Sequence, residues 1–193
     1  ASRGLGDVYK RQIYGGAHHL EHLLFKGTSA FTKSKRLTAL LDQVGAAYNA
    51  STHHDHTRYY ITLPADHAEL AYAVLSDMML YPLLRRTDVE KEKGVVLEEI
   101  HRLRDNPSAY VMDLLYARVF DGNSLARPIA GELDDVAQHD PVQIRKLWAQ
   151  YYVPANMCLV ATGNLPGCTD AAHFTRRALR LANYYFSRSA TRV

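Results

Sequence analysis

Apolar residues recur at intervals of three and four along most of the chain, a spacing that puts them on one face of a helix and predicts a series of amphipathic helices. Arg36 to Val44 places Leu37, Leu40, Leu41 and Val44 together and is stopped by Gly45. Ala65 to Leu80 groups Leu70, Ala71, Val74, Leu75 and Met78 before Pro82 breaks it. Thr87 to Arg104 carries Val89, Val96, Ile100 and Leu103, and Asp105-Asn106-Pro107 ends it. Ser108 to Phe120 turns Val111, Leu114, Leu115 and Val119 inward, and two further helices are expected at about Pro141 to Gln150 and Ala171 to Phe186. The last of these groups Phe174, Ala178, Leu181 and Tyr185, and the polar tail after it is expected to fray. Strand character is confined to Ala46–Thr52 and Thr57–Pro64, joined by the polar turn His53-His54-Asp55-His56, and to Cys158–Gly163. Helices mixed with mostly antiparallel strands predict the α+β class: an antiparallel sheet with helices packed on it.

Two glutamates interrupt this pattern in an informative way. Positions 92, 96, 99, 100 and 103 follow one helical stripe, so Glu92 and Glu99 face the same way as Val96 and Ile100, whereas Glu90, Lys91 and Glu98 lie off it. A carboxylate directed at a core needs a partner. His18-His19-Leu20-Glu21-His22 offers one. On a helix His18 and His22 stand one turn apart on one face, both able to reach a single ion, and Glu21 shares that face. The order H-x-x-E-H reverses the commoner H-E-x-x-H and matches the signature of the inverzincins. In a hydrolytic zinc site two such histidines are ligands and the glutamate is the general base for the water that attacks. A catalytic zinc takes three protein ligands and keeps one position open. Glu99 is the expected third ligand, and Glu92 the expected supporting carboxylate that orients the metal-bearing helix.

The run Gly16-Ala17-His18-His19-Leu20-Glu21-His22-Leu23-Leu24-Phe25-Lys26-Gly27-Thr28 resembles the zinc helix of the pitrilysin/insulinase family of metallopeptidases, which includes the mitochondrial processing peptidases. The resemblance extends from about Gly15 to Gly163. It implies that Glu99 corresponds to the distal zinc ligand and Glu92 to the supporting glutamate seven residues before it, with Glu98 as the competitor. It also implies that Asn49, Ala50 and Ser51 belong to a strand beside the zinc site, an edge to which an extended peptide substrate adds by backbone pairing. The function expected from it is zinc-dependent endopeptidase hydrolysis of extended peptides through a metal-activated water, with one Zn2+ per site. The alternative is a non-catalytic, peptidase-like partner subunit that binds peptides or holds a complex together. A second homologous domain or subunit is the expected partner.

Composition narrows the picture further. The chain has 193 residues, of which 47% are hydrophobic and 22% charged, ordinary values for a globular domain able to bury a substantial core. A net charge of +3 without a dense basic run gives no reason to expect nucleic acid as a partner. No apolar run approaches the ~20 residues of a membrane span. The compartment stays open, because two cysteines, Cys158 and Cys168, indicate no disulfide framework and neither lies near the histidine motif. Clustered His53, His54 and His56 read as a solvated turn rather than a second metal site. Ser2 to Gln12 is similar to the translation of a sequencing-library adapter, so residues 1–12 are set aside as non-native and 13–193 are expected to form a single, incomplete zinc-peptidase N-terminal domain lacking its first strands.

Overall fold

A computed structural model describes residues 13–164. Among them are seven α-helices, three single-turn 3-10 helices and one two-stranded antiparallel sheet. In chain order the α-helices and strands are α1 (Gly16–Leu24), α2 (Ser34–Gln43), β1 (Ala47–Thr52), β2 (Thr57–Thr62), α3 (Ala68–Leu80), α4 (Arg86–Arg104), α5 (Pro107–Val119), α6 (Leu133–Ala137) and α7 (Pro141–Tyr151). The α+β expectation holds in a helix-rich form.

Most boundaries fall where the local chemistry puts them. Gly45 ends α2 with a φ of +67°, a conformation costly for a residue with a Cβ. The side chain of Asn106 accepts hydrogen bonds from the amides of Ser108 and Ala109 and so caps α5, whose first residue is Pro107. Asp140 does the same for α7 through the amides of Val142 and Gln143. The β1–β2 turn is closed by the amide of His53 donating to the carbonyl of His56 at 2.8 Å.

The chain divides into two compact units, with α1, β1 and β2 each passing from one to the other. The first comprises 13–23, 50–58 and 84–151. Its interior is built from Leu20 and Leu23 of α1, Val89, Val96 and Ile100 of α4, Val136 of α6, and Ile144 and Leu147 of α7. Val96, Ile100 and Val136 form one cluster, so α6 packs directly on α4. Backbones approach closely at the entrance to α1. A Cβ on Gly15 would lie 2.2 Å from the carbonyl oxygen of Ala130, and one on Gly131 would lie 2.9 Å from the Cα of Gly15, so neither position accepts a larger residue.

The second unit comprises 24–49, 59–83 and 152–164 among the described residues. Leu37 and Leu41 of α2 and Val74 and Met78 of α3 are buried there. Buried Asp77 accepts from the hydroxyl of Ser29 and the amide of Ala30, which ties α3 to the segment after α1.

Two expectations about packing do not hold. The α5 helix forms, yet Val111, Leu114, Leu115 and Val119 are 54%, 51%, 50% and 63% exposed instead of inward. The periodicity gives the apolar face, but the described residues leave that face half exposed. Residues 158–163 carry no strand either, with Val160 75% exposed, because no described strand lies alongside to pair with them. The helix expected at 171–186 lies outside the described residues, as does Cys168.

Candidate metal centre

Helix α1 is only nine residues long, and its sequence sorts cleanly by side. Leu20, Leu23 and Leu24 are fully buried, as is His19, while His18, Glu21 and His22 occupy the other face. Helix α4 runs past that face and sorts in the same manner: Val89, Glu92, Val96 and Ile100 are buried, Glu99 is partly exposed and Glu98 is exposed. The stripe argument that separates Glu99 from Glu98 thus holds at the level of side-chain direction.

The two helices bring His18, His22 and Glu99 together. One ligand atom from each lies within 4.8 Å of the others, and this is the one such group among the described residues. The Glu99 carboxylate oxygen Oε2 stands 3.7 Å from His18 Nε2 and 3.5 Å from His22 Nε2. These separations are long for hydrogen bonds. They are close to the roughly 3.4 Å between neighbouring ligands of a tetrahedral zinc with bonds of about 2.1 Å. The imidazoles of His18 and His22 meet edge to face with centroids 4.8 Å apart. His18 is held below the usual histidine range, first by burial and then by the neighbouring His22, so its ring is neutral and has a lone pair to give. Its Nδ1 is buried without a hydrogen-bond partner. The donor set of two neutral imidazoles and a carboxylate therefore fits a divalent cation of borderline softness such as Zn2+.

Glu92 sits behind this group. Its carboxylate, 3% exposed, faces His22 Nδ1 at 3.6 Å, on the side of the ring away from Glu99. That is where a carboxylate orients a ligating imidazole and raises its basicity. Glu21 is held by another element: the hydroxyl of Thr52, the last residue of β1, donates to Glu21 Oε2 at 2.5 Å. Thr52 also lies 3.4 Å from the hydroxyl of Thr57 across the hairpin. The sequence placed Thr52 in a strand beside the site without giving it this role. Ser51, one residue earlier, accepts from Arg58 Nε at 2.8 Å and contacts His53 Nε2 at 3.2 Å. Asn49 and Ala50 precede it in β1, with Asn49 exposed.

The turn histidines are engaged separately. His56 pairs with Asp55 at 2.7 Å, His53 stacks on His56, and His54 stacks on Tyr116 with centroids 4.8 Å apart. A further pair lies buried: His19 and His139, whose Nδ1 atoms are 3.0 Å apart. Burial, seconded by the facing His139 ring, pushes His19 down to about 3, and burial, seconded by Lys93, pushes His139 down to about 4. The only available clue was a second histidine at a helix position otherwise filled by leucines.

No helix among the described residues is long and apolar enough to cross a membrane. The family model described as insulinase, peptidase family M16, matches residues 8–133, more than half of the chain. A protein from Streptomyces coelicolor named an uncharacterized zinc protease is 36% identical over 153 residues, covering 79% of this chain and 33% of that protein. The uncharacterized zinc protease YmxG of Bacillus subtilis is 36% identical over 155 residues, covering 80% and 37%. The chain thus spans about a third of the length of these curated relatives. Among solved structures, a protease from Helicobacter pylori aligns with a TM-score of 0.67 at 28% identity, over 74% of this chain and 34% of that one. Pitrilysin aligns with a TM-score of 0.63 at 26% identity, over 72% and 15%. On the family match and these relatives, the chain belongs to the insulinase family of peptidases, M16.

Proposed function

We propose that this chain carries the metal-ligating and proton-transfer residues of a zinc-dependent endopeptidase that hydrolyses extended peptides. The observation that carries the proposal is the convergence of His18, His22 and Glu99 within 4.8 Å of one another. Glu21 stands on the same helix face as the two histidines. His18, His22 and Glu99 would hold the ion, and Glu92 would orient His22. Zinc, when bound, supplies a Lewis acid that polarises the scissile carbonyl and lowers the pKa of water towards ~7.

The chain's own residues do the rest. Glu21 takes the proton from the attacking water and delivers it to the leaving amine, a role that requires an ionised carboxylate within hydrogen-bond reach of that water. The Thr52 hydroxyl restrains the Glu21 carboxylate by donating to one oxygen and leaves the other to handle the proton. Glu99, 41% exposed, keeps the centre open to a substrate. Asn49, Ala50 and Ser51 lead directly to Thr52 in β1, so a peptide adding along this strand would be presented to the centre by main-chain hydrogen bonds that read little of its sequence. Cys158 and Cys168 have no part in this chemistry. A non-catalytic subunit would have no use for a base beside a full ligand set, which is why the catalytic reading is preferred to the partner-subunit alternative.

The test is zinc content and peptide hydrolysis measured together on the wild-type chain and on Glu21→Gln. Retained zinc with hydrolysis lost supports the assignment. Hydrolysis at the wild-type rate in the variant removes Glu21 from the mechanism.

A further inference from the structure

His19 sits between the two metal-ligating histidines in sequence but points away from them, into the protein, where it is fully buried. Its Nδ1 meets Nδ1 of His139 at 3.0 Å, and the two rings stack with centroids 5.3 Å apart. His139 is 2% exposed and reaches a second group: its Nε2 lies 2.7 Å from the carbonyl oxygen of Tyr14.

A carbonyl can only accept, so His139 Nε2 carries the proton and donates to Tyr14. In the neutral ring Nδ1 of His139 is then the acceptor, and Nδ1–H of His19 is the donor. His139 therefore holds α1 at two points, Tyr14 two positions before the helix begins and His19 in its first turn. The leucines beside His19 bury area without demanding direction, whereas a hydrogen bond between two rings fixes an angle. Rolling α1 about its axis would break it.

The other end of the grip matters equally. His139 lies two residues beyond α6, whose Val136 packs against Val96 and Ile100 of α4. Ile100 is next in sequence to Glu99. The segment that holds the histidine helix is thus anchored on the helix that supplies the carboxylate.

We propose that His139 is a positioning residue for the metal centre: through its hydrogen bonds to His19 and Tyr14 it sets the roll of α1, and so aims His18 and His22 at Glu99. This rests on the zinc-site reading above and adds a residue 40 positions after the last of the proposed ligands, outside the H-x-x-E-H motif.

The experiment compares the wild-type chain with His139→Phe, His139→Gln and the double variant His19→Phe/His139→Phe. Phenylalanine keeps a ring in the same space and removes both hydrogen bonds, glutamine can still donate and accept, and the double variant restores an apolar pair. Three readouts are taken: zinc affinity by competition with a chromophoric chelator, the visible spectrum of the cobalt-substituted protein, and imidazole nitrogen shifts in the metal-free protein. His139→Phe is expected to bind zinc about tenfold or more weakly and to shift the cobalt bands, as loss of an orienting partner does. His139→Gln should recover most of the affinity, and the double variant should not. Wild-type affinity and an unchanged cobalt spectrum in His139→Phe would overturn the positioning role, as would full recovery in the double variant, since packing alone would then suffice. A wild-type chain that binds no zinc would overturn the metal-centre reading and this role with it. A proton found on Nε2 of His19 instead of Nδ1 would leave two lone pairs facing each other, remove the hydrogen bond and overturn the positioning role, while leaving the metal centre intact.

Discussion

Replacing Glu99 and Glu98 one at a time by glutamine separates neighbours that differ in direction by about 100° on α4. Glu99 Oε2 is 3.7 and 3.5 Å from the two imidazole nitrogens, and Glu98 is exposed and absent from the group. A ligand that binds only the folded state stabilises it by RT ln(1 + [L]/Kd), about 2.7 kcal/mol at a hundredfold excess over Kd. For a chain of this size each kcal/mol moves the melting temperature by about 2–4 °C, so zinc at that concentration should raise it by roughly 5–10 °C. Glu98→Gln should show the whole shift. Glu99→Gln keeps two imidazoles but loses the charged ligand. A hundredfold loss of affinity, an estimate in line with 10–100-fold losses at supporting residues, would cut the gain to about 0.4 kcal/mol and the shift to about 1 °C. Thermal unfolding with and without zinc, followed by circular dichroism, reads both. A full shift in Glu99→Gln alongside a lost shift in Glu98→Gln would refute the phase argument and the ligand assignment.

Other expectations follow from the same geometry. Glu21→Gln should keep the zinc-induced shift and lower peptide hydrolysis by about 10²–10⁴-fold, the usual contribution of a general base; a steady-state rate within twofold of wild type would contradict it. Glu92→Gln should weaken zinc by about 10–100-fold because His22 Nδ1 loses the carboxylate facing it at 3.6 Å, and chelator competition measures the loss. The metal-free protein should lose stability on acidification through His139. Burial, seconded by Lys93, holds this group near 4 against an ordinary value of 6.5, while Asp135 and Asp140 pull the other way. Between those pH values the unfolded chain binds the extra proton and the folded one does not, so the stabilisation is fully present above about pH 6.5 and is lost as pH falls towards 4. The loss from pH 7 to 5 is about 2 kcal/mol at 1.36 kcal/mol per pKa unit. Denaturant unfolding with chelator present should show a flatter pH profile for His139→Phe, and parallel profiles would remove His139 from the linkage.

The candidate metal group was legible in the sequence because both of its halves obey helical phase. His18 and His22 are one turn apart, and Glu92, Val96, Glu99 and Ile100 share a stripe, so Glu99 could be preferred to Glu98 before any distance was known. Helix existence was legible for the same reason, with α4 observed at Arg86–Arg104 against an expected Thr87–Arg104. Periodicity gives the apolar side of a helix but not what covers it, so α5 forms as expected while its apolar face stays half exposed. Cys158–Gly163 has strand composition, but a strand exists only where another pairs with it, and that partner is a long-range property. The His19–His139 contact joins residues 120 apart in sequence, and no local pattern announces such a contact. Thr52 bonding Glu21 across 31 residues is hidden for the same reason.

The most direct measurement is X-ray absorption at the zinc edge of the metal-loaded chain, with the Glu99→Gln and His22→Ala variants alongside. The expected spectrum has only nitrogen and oxygen neighbours at about 2.0–2.2 Å, with outer-shell scattering from two imidazoles in the wild type and from one in His22→Ala. A wild-type spectrum showing no imidazole scattering, or the same number of imidazoles in His22→Ala, would contradict the convergence of His18, His22 and Glu99 on a single ion.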